Sequence, residues 1–183
     1  MKVLLDTCVL INLFDKQGNL HDCARQCVDF LLENKSRIMV SSLSLAEYGV
    51  RGNIADILQS KAFTALTYGV RAAMRAAEFA KLTASDDARQ NLRSQENARK
   101  VIAIDTQIIA QAACDEADFI LTADANTFAK TAGYLKTRGK LPAEVVLLDG
   151  NTLATLQSKI TPPADPAFFA EDGDEEQGIL FAD

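Results

Sequence analysis

The chain has 183 residues, 48% of them hydrophobic, with no Trp, four Pro and a formal net charge of −6. That length suits one domain with a real core, and no apolar run approaches the roughly 20 residues a membrane-spanning helix needs. The charge is unevenly spread: seven of the 25 acidic residues lie between Asp165 and Asp183, where there is no Lys or Arg, so residues 1–164 carry 18 acids against 19 bases. A nearly neutral body neither announces nor excludes a nucleic-acid partner.

Lys2-Val3-Leu4-Leu5 reads as a short buried strand that stops at Asp6, and Val9, Leu10, Leu13 and Phe14 then recur at helical spacing behind Thr7. The single lysine before Asp6 is no secretory leader, which makes a cytoplasmic protein the expectation. Leu20 to Glu33 places Leu20, Ala24, Cys27, Val28, Leu31 and Leu32 on one helical face. Arg37 to Ser41 is a second strand, and Ser42 or Ser44 opens a helix that contains Glu47 and breaks near Gly52. A helical turn or two over Asn53 to Ser60, a strand over Phe63 to Tyr68 and an Ala-rich helix over Val70 to Leu82 follow. Thr83 to Asn97 is polar throughout and reads as a flexible loop or an exposed helix end. Val101 to Ile104 leads into Asp105 at the start of a helix that continues from Ile108 to Ala117. Asp118 to Thr122 is a strand ending at Asp124, Thr127 to Leu135 a helix, Val145 to Leu148 a strand, and Asn151 to Lys159 a helix. Strands alternating with helices predict an α/β fold, a central parallel β-sheet covered on both faces.

The expected domain spans residues 1–160. Residues 161–183, with Pro162, Pro163, Pro166 and the acidic run, cannot bury enough apolar surface to fold alone and read as a disordered acidic tail. Cys8, Cys23, Cys27 and Cys114 match no disulfide framework. His21, Cys23 and Cys27 are close in sequence, but a four-ligand zinc site would need partners from elsewhere, and His21 is the single histidine.

In parallel α/β sheets sites form beyond the carboxyl ends of the strands. Asp6 and Asp124 stand at such ends, with Asp105 and Glu47 on helices that could reach them. Two readings stay open on the residues alone: Asp6 and its fellows are helix caps, or they converge. Converging carboxylates repel and raise one another's pKa, and an all-oxygen set without His or Cys relieves this with a hard divalent ion, Mg²⁺ or Mn²⁺.

The ordered motifs Leu4-Leu5-Asp6-Thr7-Cys8-Val9-Leu10-Ile11, Val40-Ser41-Ser42-Leu43-Ser44-Leu45-Ala46-Glu47-Tyr48, Ala103-Ile104-Asp105-Thr106 and Asp118-Phe119-Ile120-Leu121-Thr122-Ala123-Asp124 resemble the PIN-domain family of metal-dependent nucleases, VapC-like toxins among them. The resemblance covers most of residues 1–150. It implies a three-layer α/β/α fold, and that Asp6, Glu47, Asp105 and Asp124 form an acidic quartet around Mg²⁺ or Mn²⁺, with Asp6, Asp105 and Asp124 as the metal ligands. It further implies that Thr7 and Thr122 are hydroxyl donors supporting those acids. The function implied is an endonuclease acting on RNA rather than DNA, and the resemblance to VapC-like members extends this to the toxin of a toxin–antitoxin pair, with an antitoxin partner and a homodimeric state as expectations. The long polar stretch from Phe63 to Asn97 and the acidic tail depart from compact toxins of the family.

Rivals lack parts. A haloacid-dehalogenase-type phosphatase needs a second Asp where Cys8 stands, a receiver domain needs a paired acid and a late Lys, and no Gly-rich turn supports a dinucleotide fold. The alternative function is a PIN-like binding module with an idle site. Its tail segment Gln177-Gly178-Ile179-Leu180-Phe181 looks like the Gln-x-x-Leu-Phe motif that docks bacterial proteins on the sliding clamp. Arg51, Arg99, Lys100, Lys130, Lys136 and Arg138 are basic residues near the motifs, each able to position phosphates or simply to solvate a helix.

Overall fold

The computed structural model describes residues 1–84 and 96–160. Five strands, β1 (Lys2–Leu5), β2 (Arg37–Ser41), β3 (Phe63–Leu66), β4 (Phe119–Thr122) and β5 (Glu144–Leu147), form one sheet in the order β3-β2-β1-β4-β5. Every neighbouring pair is parallel, with Leu5 opposite Val40 on one side and Leu121 on the other. The helices are α1 (Thr7–Phe14), α2 (His21–Glu33), α3 (Ser42–Tyr48), α4 (Ile54–Gln59), α5 (Val70–Ala84), α6 (Glu96–Cys114), α7 (Phe128–Thr137) and α8 (Thr152–Ile160). This is the three-layer α/β/α architecture expected from the alternating pattern.

The pleat divides the short apolar strands between two cores. Val3, Leu5, Ile38, Val40, Phe119 and Leu121 face one way, onto Val9 and Leu10 of α1, Leu31 of α2 and Leu156 of α8. Leu4, Met39 and Ile120 face the other way, onto Phe79 of α5, Ile108 and Ile109 of α6, and Phe128 and Leu135 of α7. Burial on both faces explains why β1 and β4 read as continuous apolar runs rather than alternating ones.

Two boundaries differ from the sequence reading in a way that matters. α6 is one helix beginning at Glu96, so Asp105 lies near its middle, not at its start. α5 runs on to Ala84. The polar residues of that stretch therefore include the end of one helix and the start of the next, while residues 85–95 lie outside the described residues, as does the 161–183 tail.

α3 is fixed from both ends. Ser41 caps it, accepting from the Leu43 amide at 3.1 Å while donating to buried Gln111 Oε1 of α6 at 2.6 Å. After it, the Gly52 backbone passes against the ring of Tyr48, so closely that a Cβ there would fall inside the ring's contact radius. Tyr48 is buried and packs on Phe14 with ring centroids 5.6 Å apart. Gly52→Ala is therefore expected to lower stability by about 1–3 kcal/mol, the usual cost of overpacking, read as a lower midpoint in urea denaturation.

Candidate active site

The strand order reverses between β1 and β4, which places the switch point, and the crevice it opens, where those two strands end. Asp6 follows β1 directly, and its amide donates to the Leu121 carbonyl of β4 at 3.0 Å, tying the two exits together. Asp124 stands two residues beyond β4, Glu47 on α3 beyond β2, and Asp105 on α6 across the sheet face.

Asp6 is 5% exposed and saturated with donors. Oδ1 accepts from the Thr7 amide at 2.7 Å, and Oδ2 from the Thr122 hydroxyl at 2.8 Å and the Cys8 thiol at 2.9 Å. Burial nonetheless pushes its pKa up, outweighing those donors, and the Glu47 carboxylate adds to the rise. Asp6 is thus both the cap of α1 and part of an acidic cluster; the two readings of it were never exclusive.

Asp105, 8% exposed, is pushed up to about 7. Burial is the main cause, and the charges of Asp6, Asp124 and Glu47 all raise it further, against the Thr127 hydroxyl that donates to Oδ2 at 2.8 Å. Asp124 behaves oppositely. Burial pushes it up, but the Thr127 hydroxyl and the amides of Thr127, Asn126 and Phe128 more than offset this and hold it below the ordinary carboxylate range. Its carboxylate closes the turn that leads into α7 and reaches the helix's first amide, Phe128, at 3.3 Å. Glu47 is half-buried, with Oε2 accepting from the Thr7 hydroxyl at 2.5 Å.

The four acids predicted from sequence are therefore brought within electrostatic reach of one another, and among the described residues no ion pair neutralises any of them. They are not drawn into a tight ring: among the described residues no three His, Cys, Asp or Glu side chains stand close enough to hold a metal ion as placed. The reason is visible in the donors, since Asp6 and Asp124 each spend both oxygens on amides, hydroxyls or a thiol. The donor set still fits a hard cation, being all carboxylate, with Asp6 and Asp105 buried and Glu47 and Asp124 half-buried, and carrying repulsion that positive charge relieves.

Thr122 and Thr7 are hydroxyl donors in this cluster, Thr122 also accepting from the Asp124 amide at 3.0 Å. Two contributors were not singled out from sequence. The Cys8 thiol, pushed up to about 12 by burial and by Asp6, stays protonated; it donates to Asp6 and accepts from the Ala123 amide at 2.9 Å. Thr127 touches both Asp105 and Asp124. Cys8 carried a faint signal, lying two residues from an acid at a strand exit. Thr127 carried none, because its partner in α6 is 22 residues away.

Cys27 is buried beside Cys23, which also donates to the Asp149 carbonyl at 2.8 Å, while His21 Nδ1 meets the Asn12 carbonyl at 3.2 Å; among the described residues no three such side chains share a centre. Arg138 stacks on Tyr134 with its guanidinium carbon 3.7 Å from the ring centroid. No helix among the described residues is long and apolar enough to cross a membrane.

A family model described as the PIN domain matches residues 3–134, which contain all four acids, and the chain belongs to that family. A chain of the crystal structure of VapBC2 from Rickettsia felis, bound to a DNA fragment from their promoter, has a similar fold: TM-score 0.50, 19% identity, covering 81% of this chain and all of that one. Mycobacterium tuberculosis VapC20, a Sarcin-Ricin loop cleaving toxin, aligns with TM-score 0.49 and 15% identity over 70% of this chain and 94% of its own. No curated protein matches the sequence.

Proposed function

We propose that the protein is a Mg²⁺- or Mn²⁺-dependent endoribonuclease in which Asp6, Asp105 and Asp124 hold the cation and Glu47 orients and deprotonates the attacking water. The observation that supports this reading is that four acids from four separate segments meet where β1 and β4 end, Glu47 and Asp6 joined through Thr7, Asp6 and Asp124 through Thr122, and Asp124 and Asp105 through Thr127. The cation, when bound, would acidify a water and stabilise charge on the phosphoryl oxygens. The protein's own part is positional. Thr7 fixes the rotation of the Glu47 carboxylate, and Thr122 with Cys8 fixes Asp6. Water attacks phosphorus in line with the 3′ oxygen; the P–O3′ bond breaks, the leaving oxygen takes a proton, and the products are a 3′-hydroxyl and a 5′-phosphate. The domain doing this is residues 1–160, with residues 161–183 a separate acidic tail.

Purified protein is expected to cleave single-stranded RNA with Mn²⁺ and to lose that activity in EDTA, with recovery on adding Mn²⁺ back; equal cleavage in EDTA would overturn the mechanism. Cleavage of DNA at the same rate would overturn the preference for RNA. The toxin reading adds an antitoxin partner and a homodimer, and is tested by growth arrest on expression that a neighbouring small gene relieves. The rival binding module predicts no cleavage of any nucleic acid with Mn²⁺, together with sliding-clamp capture that Leu180→Ala abolishes.

A further inference from the structure

Thr127 occupies the N-cap position of α7, where a threonine hydroxyl ordinarily accepts from an amide of the first helical turn. It makes no such bond. The Asp124 carboxylate accepts instead from the amides of Asn126 and Thr127, in the turn before the helix, and at 3.3 Å from Phe128, its first residue. The freed hydroxyl is turned instead into the crevice, where it contacts Oδ2 of Asp105 at 2.8 Å and Oδ2 of Asp124. These two acids come from different elements, α6 and the turn after β4, and each raises the energy of the other's charge. Between them, the Thr127 hydroxyl is the contact that links one to the other.

We infer that Thr127 is a positioning residue of the carboxylate site: its hydroxyl ties Asp105 to Asp124 and keeps both oxygens available to one cation. A single hydroxyl proton serves one carboxylate at a time, so the tie is not a closed one. It turns toward either acid, so that with the hydroxyl on Asp105 Oδ2 the Asp124 Oδ2 is free for a cation while Asp105 stays oriented. The arrangement resembles the outer partners that hold metal-ligating side chains elsewhere, whose loss costs about 10–100-fold in affinity. The inference rests on the nuclease reading of the site, but its core claim, the tie itself, is testable without metal.

The experiment uses the full chain with Thr127→Val, which keeps the volume and removes the hydroxyl, and Thr127→Ser, which keeps the hydroxyl. Mn²⁺ affinity is read from the rise in thermal midpoint as the ion is titrated. Thr127→Val is expected to need at least tenfold more Mn²⁺ for half the effect, and Thr127→Ser to stay within about threefold of the parent. Metal-free midpoints in EDTA are then compared for Thr127→Val, Asp105→Ala, which removes the acceptor, and the double variant. A hydroxyl that ties the two acids makes the two shifts non-additive, whereas one that merely serves α7 leaves them additive. Unchanged Mn²⁺ affinity in Thr127→Val, or additive metal-free shifts, overturns the inference. A parent protein that neither cleaves RNA nor gains stability from Mn²⁺ overturns the nuclease reading, and the metal-free cycle still decides the tie.

Discussion

Asp105→Asn is expected to cut RNA cleavage by about 10³-fold while making the metal-free protein harder to unfold. The two effects have one cause. Asp105 is 8% exposed and its carboxyl, ordinarily near 3.8, is pushed up to about 7 by burial and by Asp6, Asp124 and Glu47. Holding the ionised form in that place costs about 4 kcal/mol at neutral pH relative to water. The carboxamide has nearly the same shape, keeps an oxygen to accept from Thr127, and carries no charge, so the fold recovers a large part of that cost, about 2 kcal/mol. A cation that drew on the carboxylate loses it, and several kcal/mol of lost transition-state stabilisation corresponds to the 10³-fold drop. Single-turnover cleavage and urea denaturation in EDTA measure the two halves. A variant that cleaves as fast as its parent would remove Asp105 from the mechanism, and one that is less stable would mean that the carboxylate's hydrogen bonds outweigh the repulsion.

Metal-free protein is also expected to lose stability as pH rises from about 4 to 7, through Asp105 and, in the same direction, Asp6. Both have folded-state pKa values raised above those of the unfolded chain. Between the two values the folded state binds more protons than the unfolded one, so the stability contribution is fully present below about 4 and is lost as pH rises through about 7. Asp124 runs the other way: its pKa is lowered, so its contribution is present above the ordinary range and lost as the solution is acidified through the folded value. The Asp105 share is isolated by difference. In EDTA the gap in unfolding free energy between parent and Asp105→Asn should widen in favour of the variant, by about 4 kcal/mol at most, between pH 4 and pH 8. A gap that stays constant with pH would show that Asp105 ionises in the folded protein as it does in the unfolded one.

How much of this could be read from the chain depends on the range of the interaction involved. The strands were legible because a doubly buried parallel strand needs an unbroken apolar run, and Val3-Leu4-Leu5 and Phe119-Ile120-Leu121 are such runs. Asp6 and Asp124 were legible as strand-exit acids for the same reason. Asp105 was found as a residue but misplaced within its element: the polar Thr83–Asn97 stretch hides the first turns of α6, whose periodicity becomes apolar enough to notice only near Ile102. The bonds of Thr127 to Asp105 and of Cys8 to the Ala123 amide were beyond reach, since each joins segments far apart in sequence and neither residue type is unusual where it stands. The same holds for Gln111, whose buried bond to Ser41 fastens α3 to α6 across 70 residues.

In the proposed nuclease Asp124 would serve two positive partners at once. The turn leading into α7 presents the amides of Asn126 and Thr127 to it, and the helix its first amide, Phe128, at 3.3 Å; a divalent ion would present two full positive charges. Oδ1 is held by the amides of Asn126 and Thr127 alone, whereas Oδ2 is met by the Thr127 hydroxyl and by a longer contact of 3.3 Å from Phe128. The acid can therefore give up Oδ2 while Oδ1 stays on the turn, which makes it a one-oxygen donor with a fixed pivot. A carboxylate on a pivot of that kind suits a small ion that demands strict octahedral geometry better than a larger one that wraps both oxygens. In the proposed nuclease that turn would bear on the choice of ion as well as on the entry to α7.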